Sequence, residues 1–156
     1  MIQEIYIIDD DESSILVFRE LFKNDPEYKF ISVTSEQIDF ALKNIPSIII
    51  INEDAIDIKI FQKPNILAVV LGHLHKHQIL NTNPLSYSCS STIRTDFNEE
   101  HEKKGFVVLD IDNNYNVSYI FKEIKTQEFL SVKMDLVGED DAQANVMAYL
   151  NHIKKD

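Results

Sequence analysis

The first half of the chain alternates short apolar runs with stretches of helical spacing. Three runs rich in β-branched residues have the length of buried parallel strands: residues 5–8, 30–33 and 48–51. Apolar residues recur with helical spacing at Ile15, Phe18 and Phe22, and Ser35 is a suitable N-cap for a second helix through Ile38. Because strands that alternate with helices are joined by right-handed crossovers, this pattern predicts a parallel sheet.

The second half of the chain is richer in strand patterns. After a short helix predicted over residues 55–62, the further predicted strands are 66–71, 85–88, 105–111, 117–124 and 129–136. An Asn-rich turn between residues 111 and 117 predicts a hairpin. Apolar residues at Val146, Leu150 and Ile153 predict a closing helix. We therefore expect an α/β protein with a parallel or mixed central sheet and flanking helices, whose β-rich C-terminal half ends in a helix.

The apolar run 66–71 ends in Gly72-His73-Leu74-His75, the strongest chemical signal in the sequence. Neutral imidazole is the commonest protein ligand for a transition metal, and the end of a buried strand would hold two imidazoles on a stiff support. The same residues also fit a polar loop that happens to contain histidine. The remaining histidines carry no functional signal: His77, which we expect to be solvent-exposed, His101 and His152.

Polar residues also follow two of the other apolar runs. Asp9 and Asp10 follow the first run, and Asn52 follows the third. Because the carboxyl ends of parallel strands meet at one edge of a sheet, we expect these side chains to join His73 and His75 there. Such a set of oxygen and nitrogen ligands suits Mn²⁺, Zn²⁺ or Mg²⁺. The alternative is that Asp9, Asp10 and Asp11 cap the first helix and complement its dipole.

Four motifs follow one another between residues 64 and 136. They read Gly-His-Leu-His at 72–75, Asn-Pro-Leu-Ser-Tyr at 83–87, Thr-Ile-Arg-Thr-Asp-Phe at 92–97 and Lys-Lys-Gly-Phe-Val-Val-Leu at 103–109. In this order they resemble the last metal motif and the following strands of the SbcD-type DNA repair nucleases, which are calcineurin-like metallophosphoesterases. The resemblance implies a metal-dependent DNA phosphodiesterase in which His73 and His75 bind the metal and act in catalysis, with DNA and an ATPase subunit as partners.

This resemblance is incomplete. The Asp-x-His that the family carries on its first strand is absent, and no histidine follows Asn52. Cys89 stands where the family has the glycine of its Tyr-x-Gly-Ser turn, and we expect it to strain that loop. Because a metal that activates water typically needs three protein ligands, and a two-metal site needs more, we predict a partial or degenerate nuclease site that is weak or inactive. Whether the chain is an enzyme stays open.

Residues 5–54 resemble a different family, the two-component receiver domains. Asp9 and Asp10 match that family's magnesium-binding acidic pair, but Asn52 falls where the family has its phosphoacceptor aspartate. Since an amide cannot form an acyl phosphate, the resemblance implies a module without phosphotransfer. The alternative function is therefore a non-catalytic, receiver-like (response-regulator-like) module or an engineered chimeric scaffold.

We predict one domain over residues 1–156, which is long enough to bury a core. Its parts are a receiver-like part (1–54), a junction (54–64), a metallophosphoesterase-like part (64–136) and a C-terminal helix (140–154). A junction in the middle of a sheet fits an engineered or recombined chimera, and it fits a divergent natural protein equally. A protein-interaction role for the apolar face of the closing helix is a third possibility.

Composition limits the partners. The net charge of −11 would repel a phosphate backbone, so we expect any DNA binding to be weak. Arg94, Lys103 and Lys104 are candidates to bind phosphate, but in an acidic loop we expect them to be solvated surface charges. A single cysteine, no apolar run of membrane-spanning length and no basic-then-apolar leader predict a cytoplasmic protein that does not contact a membrane. The sequence specifies neither a substrate nor an oligomeric state.

Overall fold

The computed structural model describes residues 3–9, 11–24, 28–34, 37, 45–52, 56–137 and 141–153. The strands are β1 (Gln3–Ile8), β2 (Tyr28–Ser32), β3 (Ser47–Ile51), β4 (Ile66–Leu71), β5 (Gln78–Thr82), β6 (Leu85–Ser88), β7 (Gly105–Ile111) and β8 (Val117–Glu123). The helices are α1 (Glu12–Phe22), α2 (Ala142–Ile153) and two 3₁₀ helices, Ile58–Phe61 and Phe97–Glu99.

The central sheet has six strands in the order β2-β1-β3-β4-β6-β5. The first five of these run parallel to their neighbours, and β5 pairs antiparallel with β6. The predicted α/β class with a mixed central sheet is therefore confirmed. Since β1, β3 and β4 are adjacent and parallel, the residues that follow them along the chain lie at one edge of the sheet.

The two faces of the central sheet are covered differently. Alternate residues of a strand point to opposite faces, so Tyr6 and Ile49 belong to one core while their neighbours Ile5 and Ile48 belong to the other. The Tyr6 side includes Phe61 of the first 3₁₀ helix, which is fully buried. The Ile5 side packs against apolar residues of β7. Burying one such apolar side chain contributes roughly 1.5–3 kcal/mol to the stability of the fold. The two cores therefore fix the strands, and with them the positions of the strand ends.

Strands β7 and β8 form the predicted antiparallel hairpin. Asp112 closes its turn by accepting hydrogen bonds from the backbone N–H groups of Asn114 and Asn116, each at 2.8 Å, and from the Asn116 side chain at 2.7 Å. Tyr115 adopts a left-handed backbone with φ of 64°. Gly105 is required at the start of β7, because a Cβ there would lie 2.2 Å from the Lys122 carbonyl oxygen.

Other elements depart from the prediction. The strand predicted over 129–136 is wrong: this segment has no regular secondary structure, and its alternating apolar residues are exposed. An alternating pattern indicates a strand only where a neighbouring strand supplies hydrogen bonds, and none pairs with it in the described residues.

The helix predicted over 55–62 is the single 3₁₀ turn Ile58–Phe61. The closing helix is confirmed as α2, whereas β5 was not predicted. Of the helix predicted after Ser35, all residues except Gln37 lie outside the described residues.

Helix α1 begins at an aspartate cap. The Asp11 side chain accepts a hydrogen bond from the backbone N–H of Ser13 at 2.9 Å, and the Asp9 side chain accepts one from the backbone N–H of Asp11 at 2.8 Å. The capping alternative thus holds for Asp11. Among the described helices, none is long and apolar enough to span a membrane.

Candidate functional site

Three neighbouring strands end at the same edge of the sheet. The ladder continues one residue beyond the strands, because the Asn52 N–H donates to the Ile8 carbonyl at 2.9 Å and the Gly72 N–H donates to the Ile51 carbonyl at 2.8 Å. The Asn52 side-chain amide then donates to an Asp9 carboxylate oxygen at 3.3 Å. The structure thus brings Asp9 and Asn52 together as predicted, whereas Asp10 lies outside the described residues.

The histidines and Asn52 line one open depression of about 570 Å³. Its lining residues are Asn52, Gly72, His73, Leu74, His75, Lys76, Gln78, Glu99 and Glu102. Gly72 permits a close approach between the two strand ends, because a Cβ there would lie 3.1 Å from the Asn52 side-chain oxygen. Three of the predicted ligands, Asn52, His73 and His75, therefore share one depression, and Asp9 connects to it through Asn52.

The His75 ring is held by a carboxylate. His75 Nδ1 lies 2.9 Å from Glu99 Oε1 and 3.2 Å from the Thr95 hydroxyl. Glu99 also accepts hydrogen bonds from the Thr95 N–H at 3.0 Å and pairs with the Lys104 ammonium at 2.9 Å. Burial by itself would raise the pKa of Glu99, but the hydrogen bonds from Lys104, Thr95 and His75 outweigh it and lower the pKa to about 2. Glu99 is thus ionised at neutral pH and acts only as an acceptor.

Lys104 is fully buried, so the expectation that it is a solvated surface charge is wrong. Its ammonium pairs with Glu99 and Glu102 at 2.9 and 3.0 Å, and it donates to the His75 carbonyl at 3.1 Å. These three partners use all three ammonium donors. A buried charge is tolerated only when it is paired in this way.

Arg94 is likewise bound internally. Its guanidinium donates to the carbonyls of Glu99 at 3.0 Å, Glu102 at 2.8 Å and Gln127 at 2.9 Å. It is half-buried, so the prediction of a solvated charge is wrong for this residue too. Lys103 does remain exposed, with Glu123 2.9 Å away.

The loop that carries the histidines is anchored through its backbone. The Ser88 hydroxyl donates to the Leu74 carbonyl, and the Ser90 hydroxyl donates to the His75 carbonyl at 3.1 Å. The left-handed residue of this neighbouring turn is Ser90, with φ of 78°, and not Cys89. The strain expected at Cys89 therefore lies one residue later, at Ser90, whose hydroxyl has three carbonyl oxygens within hydrogen-bond distance for its single proton.

His77 is half-buried, and the expectation that it is solvent-exposed is wrong. Its Nδ1 donates to the Ser88 carbonyl at 2.8 Å, and its ring stacks on Phe121 with centroids 4.3 Å apart and planes 4° apart. Stacking of this kind packs the hairpin against the histidine loop. His77 is thus a structural contact between β8 and the site.

The described residues fall short of a complete catalytic metal centre. Within them, no group of three or more His, Cys, Asp or Glu side chains is arranged to hold an ion. A catalytic zinc site typically takes three protein ligands and leaves a position for water. His73 and His75 supply two imidazoles at the depression, and Asn52 supplies an amide oxygen. The Glu99 and Glu102 carboxylates also line it, but both are paired with the Lys104 ammonium.

Sequence reasoning missed Glu99 and Lys104, which determine how His75 is held. Both lie in the charged stretch that follows the 92–97 motif, and charged residues are mostly exposed. Because their burial depends on partners more than twenty residues away along the chain, no local pattern indicates it.

Comparison with known proteins gives a partial similarity. No family model matches the chain. The chain is 38% identical over 64 residues to the SbcD subunit of the nuclease SbcCD from Staphylococcus epidermidis, a match that covers 41% of this chain and 17% of that protein. The receiver-like resemblance of residues 5–54 receives no support from these comparisons. What the comparisons establish is a similarity to a nuclease subunit over less than half of the chain.

Proposed function

We propose that this chain carries a degenerate SbcD-type phosphodiesterase site, which binds a divalent metal weakly through His73 and His75 and gives little or no phosphodiester turnover. The observation that carries the proposal is that both histidines and Asn52 line one depression, while the described ligands stop short of the three that a catalytic metal needs. The similarity to a nuclease subunit supports the origin of the site.

The ligand types indicate which ion would bind. Imidazole suits Zn²⁺ and other transition metals, whereas Mg²⁺ prefers oxygen ligands in octahedral geometry. Because two imidazoles line the depression, and its carboxylates Glu99 and Glu102 are paired with Lys104, we propose Zn²⁺ or Mn²⁺ over Mg²⁺. Asp9 would assist indirectly, by orienting the Asn52 amide.

The partners follow from charge and similarity. Because the net charge is −11, DNA would bind this chain weakly without a basic partner. The similar staphylococcal protein is named as one subunit of a complex, so we include a protein partner, of the ATPase class that the resemblance implies, in the proposal.

Isothermal titration of the metal-free protein with Zn²⁺ and with Mn²⁺ tests the proposal. We expect measurable binding that is lost in His73→Ala and in His75→Ala but kept in the matched control His152→Ala, whose side chain is exposed on α2. A bis-p-nitrophenyl phosphate assay with the metal-loaded protein should show turnover at or near background. Binding that is absent, or that both site variants retain, would refute the proposal.

A receiver-like module without phosphotransfer is the second candidate. It is favoured by the strand order β2-β1-β3-β4, the order at the centre of flavodoxin-like sheets, and by the contact between Asp9 and Asn52 at the strand ends. Its signature would be Mg²⁺ binding that is lost in Asp9→Ala and retained in His73→Ala. Titrations with Mg²⁺ that add Asp9→Ala to the variants above therefore separate the two candidates.

A further inference from the structure

We infer that Glu99 and Lys104 are positioning residues for His75, which together hold its ring with the proton on Nδ1 and leave the lone pair of Nε2 for a ligand in the depression. The inference concerns the metal-free protein. Only the use of that lone pair to bind a metal rests on the proposed function.

The first argument is the contact at the ring. A neutral imidazole has one nitrogen that donates and one that accepts, and an ionised carboxylate only accepts. The 2.9 Å contact between His75 Nδ1 and Glu99 Oε1 therefore requires the proton on Nδ1. Since His75 lines the depression, Nε2 is the nitrogen that remains available to a ligand there.

The second argument is that Glu99 is itself immobilised. Its Oε2 faces the Lys104 ammonium at 2.9 Å, and both of its oxygens accept from Thr95, Oε2 from the N–H at 3.0 Å and Oε1 from the hydroxyl at 3.2 Å. The Glu99 side chain is 11% exposed and that of Lys104 is 0% exposed, so water competes little for either charge. A carboxylate held on both oxygens offers the His75 ring one fixed acceptor.

The third argument is that Lys104 acts on His75 twice. It orients the ring through Glu99, and it also donates directly to the His75 carbonyl at 3.1 Å. One buried ammonium therefore fixes both the backbone and the side chain of the same histidine. A Lys104 that merely balanced the charge of Glu99 and Glu102 would not need to contact the histidine loop.

The test is the tautomer of His75 in the metal-free protein. A long-range ¹H–¹⁵N spectrum of the histidine rings, at a pH where all five are neutral, reports which nitrogen carries the proton. We expect His75 to be wholly in the Nδ1–H form, with the exposed His101 and His152 as internal references. A His75 that carries its proton on Nε2, or that is a mixture resembling the references, would overturn the inference without any variant.

Variants then assign the cause. In Glu99→Gln the amide can donate to Nδ1, so the Nε2–H form should appear, and Zn²⁺ affinity should fall by about 10- to 100-fold. Glu102→Gln is the matched control, because Glu102 contacts Lys104 but Glu99 remains in place, and it should keep the Nδ1–H form. If Glu99→Gln does not fold, Glu99→Gln with Lys104→Met removes both buried charges and should show the same change. A folded variant that retains the Nδ1–H form would show that Glu99 does not set the tautomer.

The failure of this inference is distinct from the failure of the proposed function. If the wild-type protein binds no Zn²⁺, the proposed function fails while the tautomer still decides whether Glu99 positions the ring. If Zn²⁺ binds but Glu99→Gln changes neither the tautomer nor the affinity, the positioning role fails and the metal site stands.

Discussion

The two sides of the depression are built differently. On the β1–β3 side, Asn52 meets Asp9 through one hydrogen bond of 3.3 Å that is exposed to solvent. On the β4 side, the histidine loop is fixed by buried polar groups, with Glu99 and Lys104 the most important. A ligand that enters the depression therefore meets one preorganised wall and one loosely held wall. Preorganised groups bind with less loss of entropy, so affinity should depend on the histidine side.

The largest expected effect is on the preorganised side. Lys104→Ala leaves the buried carboxylate of Glu99 without its cation, and breaking a buried pair in this way costs about 3–5 kcal/mol. The free energy of unfolding, measured with urea, should fall by that amount. The adjacent Lys103→Ala is the control, since Lys103 is exposed and its loss should change stability by less than about 1 kcal/mol. If Lys104→Ala and Lys103→Ala lowered the free energy of unfolding equally, the histidine side would not be the preorganised side.

The histidine side of the depression should also contribute more to metal affinity than the β1–β3 side. We expect His75→Ala to weaken Zn²⁺ binding at least about tenfold, which corresponds to 1.4 kcal/mol. Asp9→Ala should change it only slightly, because Asp9 reaches the depression through Asn52. Calorimetric titration of both variants measures the difference. A larger loss in Asp9→Ala than in His75→Ala would mean that the oxygen side dominates and that the comparison is reversed.

A loss of stability smaller than that of Lys104→Ala is expected where the hairpin meets the histidine loop. His77→Ala removes the stack on Phe121 and the hydrogen bond to the Ser88 carbonyl, which together contribute roughly 1–2 kcal/mol. Urea unfolding should show that loss. His77→Phe keeps the stack and loses the hydrogen bond, so it should recover part of the stability. If His77→Ala unfolds like the wild type, the hairpin is held by its other contacts, among them Leu109 and Ile111 in the core and the stack of Tyr119 on Tyr87.

The same asymmetry explains what the sequence could and could not predict. Strands β1, β3 and β4 each contain a continuous apolar run, and burial on both faces of a parallel sheet is the reason for such runs. Their shared edge, and with it the meeting of Asn52 with His73, followed from strand polarity alone. Strand β5 has no apolar run to indicate it, and it takes its structure from pairing with β6.

The histidine side could not be predicted because it depends on long-range polar contacts. The stretch that contains Arg94, Glu99 and Lys104 has the composition of a solvated loop. Burial of these charges is possible only once partners distant in sequence are in place. His77 belongs to the same class, since its stacking partner lies on β8. A local pattern reports apolar burial well, but it does not report which charges will be paired.

The smallest expected effect is a pH dependence in the hairpin turn, away from both walls. Hydrogen bonds from the Asn116 side chain, from its backbone and from the Asn114 backbone outweigh the effect of burial and lower the pKa of Asp112 below its ordinary 3.8. A carboxylate whose pKa is lowered on folding stabilises the folded state above its ordinary pKa. That contribution is lost as the pH falls through the lowered value. The urea midpoint of Asp112→Ala should thus be slightly lower than that of the wild type at pH 7.

The difference in urea midpoint between the wild type and Asp112→Ala should then shrink below about pH 4, the ordinary pKa of an aspartate. Comparing the two midpoints at each pH removes the common contribution of Glu99, whose pKa is also lowered and which both proteins retain. Asp110→Ala provides the matched control, because Asp110 is exposed in β7 near the same turn. A difference between wild type and Asp112→Ala that persists unchanged to low pH would mean that Asp112 stabilises the turn through its shape. In that case its charge plays no part, and the hairpin would hold the histidine loop equally well in acid.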